Sequence, residues 1–134
     1  MTDLLRRYPI IRPAIPAIFL LWTLLMLTLT LLPSDTLPSN RLFSYDKLGH
    51  FGMFGGWTFF LGLYFMVYRG KVRINLFLLM AVGILFGALI EVLQYVMPAG
   101  RTGSWGDVLA NSLGCFTAYI LLHPVRTFLK RRKL

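Results

Sequence analysis

Residues 74–96 read INLFLLMAVGILFGALIEVLQYV, an apolar run whose one charged side chain, Glu91, falls near its end. At about 1.5 Å per residue this run is about 34 Å long as a helix, enough to cross the ~30 Å hydrocarbon core of a bilayer. Leu, Ile, Val and Phe fall on every side of it, so no face is left for water. The connection before it, 69–73, is too short for anything but a tight hairpin, which makes the apolar run at 48–68 an antiparallel neighbour. Further out, a run at 14–32 stops at Pro33 and gives way to a loop rich in Pro, Ser and Asp, and another occupies 105–122. The reading is one all-α domain over residues 1–134, a polytopic transmembrane bundle of about four helices at 14–32, 48–68, 74–96 and 105–122. Composition agrees: the chain is 57% hydrophobic, whereas soluble domains are about 45–50% apolar.

Fourteen Lys and Arg against five Asp and Glu would suggest nucleic acid in a soluble protein. Here the cations flank apolar runs, as Arg6, Arg7 and Arg12, then Arg69, Lys71 and Arg73, then Arg126 to Lys133. That is the positive-inside pattern, with contact to anionic lipid as a second use, and no nucleic-acid partner is expected. With both termini and the 69–73 hairpin in the cytoplasm, only Arg41, Lys47 and Arg101 remain outside. The first run spans about 28 Å and lacks a small-x-small cleavage site after it, so it reads as a retained helix rather than a signal peptide. Cys115 is the single cysteine, which excludes an intrachain disulfide and reads as packing.

Small residues recur every four positions at Gly52 and Gly56, at Gly83 and Gly87, and at Ala110, Gly114 and Ala118. Each set lies along one helix face and is expected to pack helix on helix. Polar residues collect at the other end of the runs from the basic clusters. Asp46 and His50 share a face at the start of the second helix, Glu91 and Gln94 near the end of the third, and Asp107 and Asn111 at the start of the fourth. His50, Glu91 and Asn111 can therefore occupy one layer, in a polar pocket opening outward, with Arg101 able to reach Glu91 or an anionic ligand.

Several of these residues have structural explanations as well. Ser104-x-x-Asp107 before an apolar run reads as a capping box, and Asp46 suits a helix N-terminus. Gln94 and Asn111 suit interhelical hydrogen bonding. His50 and Glu91 are functional candidates, because ionisable groups at membrane depth cost about 2.5–3.5 kcal/mol at the bilayer centre, although a buried pair that only locks the bundle has the same appearance.

The set Asp46-Lys47-Leu48-Gly49-His50-Phe51 with Phe54, Glu91-x-x-Gln94, Arg101, and Asp107-x-x-x-Asn111-x-x-Gly114 resembles the VanZ-like family of small bacterial membrane proteins, from about Tyr45 to Leu121. The resemblance implies a multi-pass protein of the bacterial cytoplasmic membrane. It carries an association of the family's namesake with low-level resistance to the glycopeptide teicoplanin, and a housekeeping role in the envelope is the other role in view.

Two functions follow from the residues. One is an enzyme acting on a lipid headgroup or lipid-linked cell-wall intermediate, with His50 and Glu91 catalytic, Arg101 holding phosphate, and Asp46, Lys47, Gln94, Asp107 and Asn111 binding substrate. No serine or cysteine is expected in that layer, so water or a second bound substrate would attack. A metal-assisted variant, with His50, Glu91 and Asp46 or Asp107 as ligands, is the lesser alternative because the set lacks a sharp ligand spacing; no metal site is assigned and no other cofactor is expected. The alternative is a non-catalytic scaffold that binds lipid, glycopeptide or a partner at the same place, or whose polar residues are structural.

Overall fold

The computed structural model describes residues 11–33, 46–97 and 103–131. Four helices account for them: α1 (Ile11–Leu31), α2 (Asp46–Leu63), α3 (Leu76–Val96) and α4 (Trp105–Arg131). All four are long and apolar enough to cross a membrane, and no strand occurs among the described residues.

The surface is that of a membrane protein. Leu21, Leu85 and Val92 are 65%, 70% and 57% exposed, while Thr30, His50, Thr58, Glu91, Gln94, Asp107 and Asn111 are all buried. Water would oppose this arrangement, whereas lipid makes no demand on the apolar faces and forces polar groups to find partners inside.

α2 continues as a wider π turn over Tyr64–Tyr68, where Tyr64 and Tyr68 stack at 5.3 Å and Tyr64 also stacks on Phe19 of α1. Gly70 then takes φ +67°, the left-handed region that favours glycine, and the Lys71 N–H closes back on the Phe65 carbonyl at 2.9 Å. The side chain of Asn75 accepts from Leu78 N–H and starts α3. The 69–73 connection is thus the tight hairpin expected.

α4 runs beyond the expected end at 122, through Pro124 to Arg131. Proline removes one intrahelical hydrogen bond, but Leu122 and Leu129 are buried in a cluster with Met66, Val72, Leu76 and Leu79 that holds the extension against α2 and α3. Burial of that face outweighs the missing bond.

α2 and α4 form the most extensive pair of the bundle. A Cβ at Gly55 would meet the Gly114 carbonyl oxygen at 2.9 Å, and a Cβ at Gly114 would meet Gly55 N at 2.9 Å and overlap the Phe51 carbonyl oxygen. Gly83 and Gly87 of α3 lie against Thr58, Cys115 and Asn111, and Ala110 and Ala118 are buried. The expected small-residue faces on α3 and α4 are therefore contact faces. On α2 the face is different. A Cβ at Gly52 would meet nothing within 4 Å, and Gly55 makes the close approach while Gly56 receives Trp22 of α1. Spacing locates a face only to within one residue's rotation, about 100°.

Candidate functional site

Three helices converge at the end of the bundle remote from the 69–73 hairpin. His50 lies one turn into α2, Glu91 lies in the penultimate turn of α3, and Asn111 and Asp107 lie in the first two turns of α4. Gly87 and Gly114 let the backbones approach closely enough for these side chains to touch.

His50 Nδ1 is 3.0 Å from Asn111 Oδ1 and 3.2 Å from Glu91 Oε1. Both neighbours offer acceptor oxygens, so His50 donates from Nδ1. Asn111 Nδ2 donates to the same Glu91 oxygen at 3.3 Å, closing a three-residue ring of polar contacts. The ring of His50 stacks on Phe54 at 6.3 Å, which fixes its plane.

Ser104 occupies the junction. Its backbone N–H donates to Glu91 Oε2 at 3.4 Å, and its hydroxyl donates to Asp107 Oδ2 at 2.7 Å while accepting from Asp107 N–H at 3.1 Å. The expected capping box is present in altered form. In the usual box the acid returns to the capping residue's own N–H, whereas here Glu91 from the neighbouring helix takes that N–H. The expectation that no serine lies in the polar layer is corrected. Its hydroxyl is engaged twice in the cap, which makes Ser104 a positioning group. Gly103 allows this, since a Cβ there would meet the Glu91 carbonyl oxygen at 2.6 Å.

The remaining candidates divide. Gln94 turns to α1 and donates to the Thr30 carbonyl at 2.7 Å, satisfying an acceptor in the last turn of that helix. Lys47 is exposed, with its stem over the first turn of α4, where a Cβ at Gly106 would meet Lys47 Cε at 2.9 Å. Asp46 begins α2, but its side chain lies outside the described residues, as does Arg101. His50, Glu91, Asp107 and Asn111 are each 6% exposed or less. The described part of the site is thus enclosed by protein rather than open.

A family model, VanZ/LLP1, matches residues 18–129. The chain belongs to the VanZ/LLP1 family. The match begins at residue 18 and takes in most of α1, which lies outside the motifs that carry the resemblance. No curated protein and no solved structure matches the chain.

His50, Glu91 and Asp107 each offer a donor atom, all within 4.8 Å of one another, and are the described residues able to hold a metal ion. At the opposite end, Lys71, Arg73 and Lys130 line a groove of about 820 Å³ with Phe65, Val72 and Ile74. Its charged side chains are all cations. The buried cluster of this VanZ/LLP1 protein, by contrast, brings an imidazole and two carboxylates together.

Proposed function

We propose that this VanZ/LLP1 protein is an enzyme of the bacterial cytoplasmic membrane that acts on the phosphate-bearing headgroup of an envelope lipid or lipid-linked cell-wall intermediate. The observation that carries this reading is the convergence of His50, Glu91, Asp107 and Asn111 from three helices in one buried cluster. An ionised carboxylate at membrane depth is costly, and apolar residues would pack there at less expense.

An imidazole whose Nδ1 proton is held by a carboxylate is the arrangement of a general base, with Glu91 orienting the ring. Water is the attacking group: His50 takes its proton as the new P–O bond forms, the P–O bond to the departing oxygen breaks, and His50 returns the proton to that oxygen while Glu91 stabilises the charged ring. Arg101 and Lys47 are the cations that would hold the phosphate. The basic groove at Lys71, Arg73 and Lys130 supports placing that end, with both termini, in the cytoplasm and the cluster toward the extracytoplasmic face.

A scaffold reading is favoured by two contacts. Gln94 and Asp107 both make hydrogen bonds that stabilise helix ends, whatever else they do. A non-catalytic protein that binds lipid or glycopeptide would need no more than the rim cations.

Mass-spectrometric lipid profiling of cells with and without the protein tests the proposal. Accumulation of a phosphate-bearing lipid in the deleted strain, reversed by wild-type protein and not by His50→Gln, is the expected result. An unchanged lipid profile accompanied by altered teicoplanin susceptibility would favour the binder.

A further inference from the structure

We infer that the cluster is a divalent-cation site, in which His50 Nδ1, Glu91 Oε1 and a carboxylate oxygen of Asp107 ligate the ion and Asn111 Oδ1 lies within reach. The inference rests on the cluster being functional and names what its charge is for.

The first argument is geometric. Two ligand atoms set at right angles about an ion at about 2.1 Å are about 3.0 Å apart. His50 Nδ1 lies 3.0 Å from Asn111 Oδ1 and 3.2 Å from Glu91 Oε1, and the donor atoms of His50, Glu91 and Asp107 all fall within 4.8 Å of one another. The two contacts of His50 therefore have the spacing of a coordination shell, and Asp107 lies close enough to join it by a small shift. An ion entering it would take the place of the proton at His50 Nδ1, which a neutral imidazole ligand then carries at Nε2, so in the ion-bound form an ion-bound water would replace His50 as the base.

The second argument is charge. Glu91 and Asp107 bring two carboxylates together in a buried site, and among the described residues no Lys or Arg lies within ion-pairing distance of either. A divalent cation would offset the charge of both carboxylates.

The third is the surrounding support. Ser104 holds Glu91 Oε2 through its backbone and Asp107 Oδ2 through its hydroxyl. Both carboxylates are thus oriented by one residue, each keeping a second oxygen for a ligand. Metal-binding carboxylates are held in this manner by groups that do not touch the ion. One imidazole with oxygen donors suits Mn²⁺ or Zn²⁺, ions that bind a phosphate oxygen and lower the pKa of a bound water to about 7.

The test uses the full chain in detergent, stripped with EDTA and returned to Mn²⁺, with metal counted by mass spectrometry and binding followed by Mn²⁺ EPR. Saturable binding of one ion per chain that raises the melting temperature is expected, with Glu91→Gln and His50→Gln abolishing it. Ser104→Ala should weaken it by about 10–100-fold, the usual loss for a supporting group. This milder variant serves if the others do not fold. Substoichiometric Mn²⁺, or equal binding in wild type and all folded variants, would overturn the inference. The outcome is separable from the lipid reading. A metal-free protein whose deletion still accumulates a phosphate-bearing lipid would defeat the ion alone, while a stoichiometric ion with an unchanged lipid profile would defeat the lipid reading alone.

Discussion

Gly114→Ala places one methyl group at the tightest point of the α2–α4 crossing. The new Cβ would sit 2.9 Å from Gly55 N and 3.0 Å from the Phe51 carbonyl carbon, and would overlap the Phe51 oxygen. Carbon atoms rest at about 3.5–4.0 Å, so the helices must part by roughly 0.5–1 Å. The obstacle is backbone, which cannot rotate aside as a side chain can. Overpacking of this kind costs about 1–3 kcal/mol. The consequence for the site is sharper, because Phe51 adjoins His50 and Gly114 lies one turn from Asn111. Opening the crossing stretches the 3.0 Å His50–Asn111 contact past the ~3.5 Å at which a hydrogen bond is lost. Gly52→Ala is the control. It lies on the same helix with nothing within 4 Å of its Cβ, and alanine in a helix interior is favoured over glycine by about 0.5–1 kcal/mol. Thermal melting in detergent and the cellular lipid profile read both effects. Gly114→Ala should melt lower and lose the phenotype, while Gly52→Ala should melt at or above wild type and keep it. Equal behaviour of the two variants would refute the close-packed crossing and its control of the site.

Gln94→Ala removes the donor to the Thr30 carbonyl and leaves a buried acceptor unpaired, so melting should drop by an amount equivalent to about 1–3 kcal/mol with the lipid phenotype intact. Loss of phenotype at unchanged stability would return Gln94 to the site. Cysteines placed at Asp35 and Arg101 should react with an impermeant maleimide from outside the cell, and those at Lys71 and Lys130 only after permeabilisation. The native Cys115 is fully buried and should contribute no background. External labelling at Lys71 would invert the topology and move the cluster to the cytoplasmic side.

The helices were legible because lipid imposes a simple requirement: about 20 apolar residues per crossing and a short basic hairpin between two of them. The end of α4 was not, because Pro124 looks like a stop until the burial of Leu129 is seen. Helical spacing put His50, Glu91 and Asn111 at compatible depths, but only the packed backbone shows Gln94 turned toward α1 and Gly55, rather than Gly52, at the crossing. Ser104 was visible as a cap in the pattern Ser104-x-x-Asp107. Its link to Glu91 was not, since a backbone N–H leaves no signature in residue type. The glycine before it was the available clue, because Gly103 permits the approach to α3.

The central claim is that the ionisable cluster is kept for chemistry rather than for packing. Glu91→Gln tests it most directly, since the amide keeps the shape of the side chain and acceptor capacity toward Ser104 while removing the charge. The measurement pairs the lipid profile of cells expressing the variant with the melting temperature of the same variant purified in EDTA, where no added ion stabilises either protein. The account predicts a lipid profile like that of the deleted strain with melting close to wild type. A wild-type lipid profile in a variant whose melting alone has changed would contradict it, and would leave His50, Glu91 and Asn111 as a structural contact between helices.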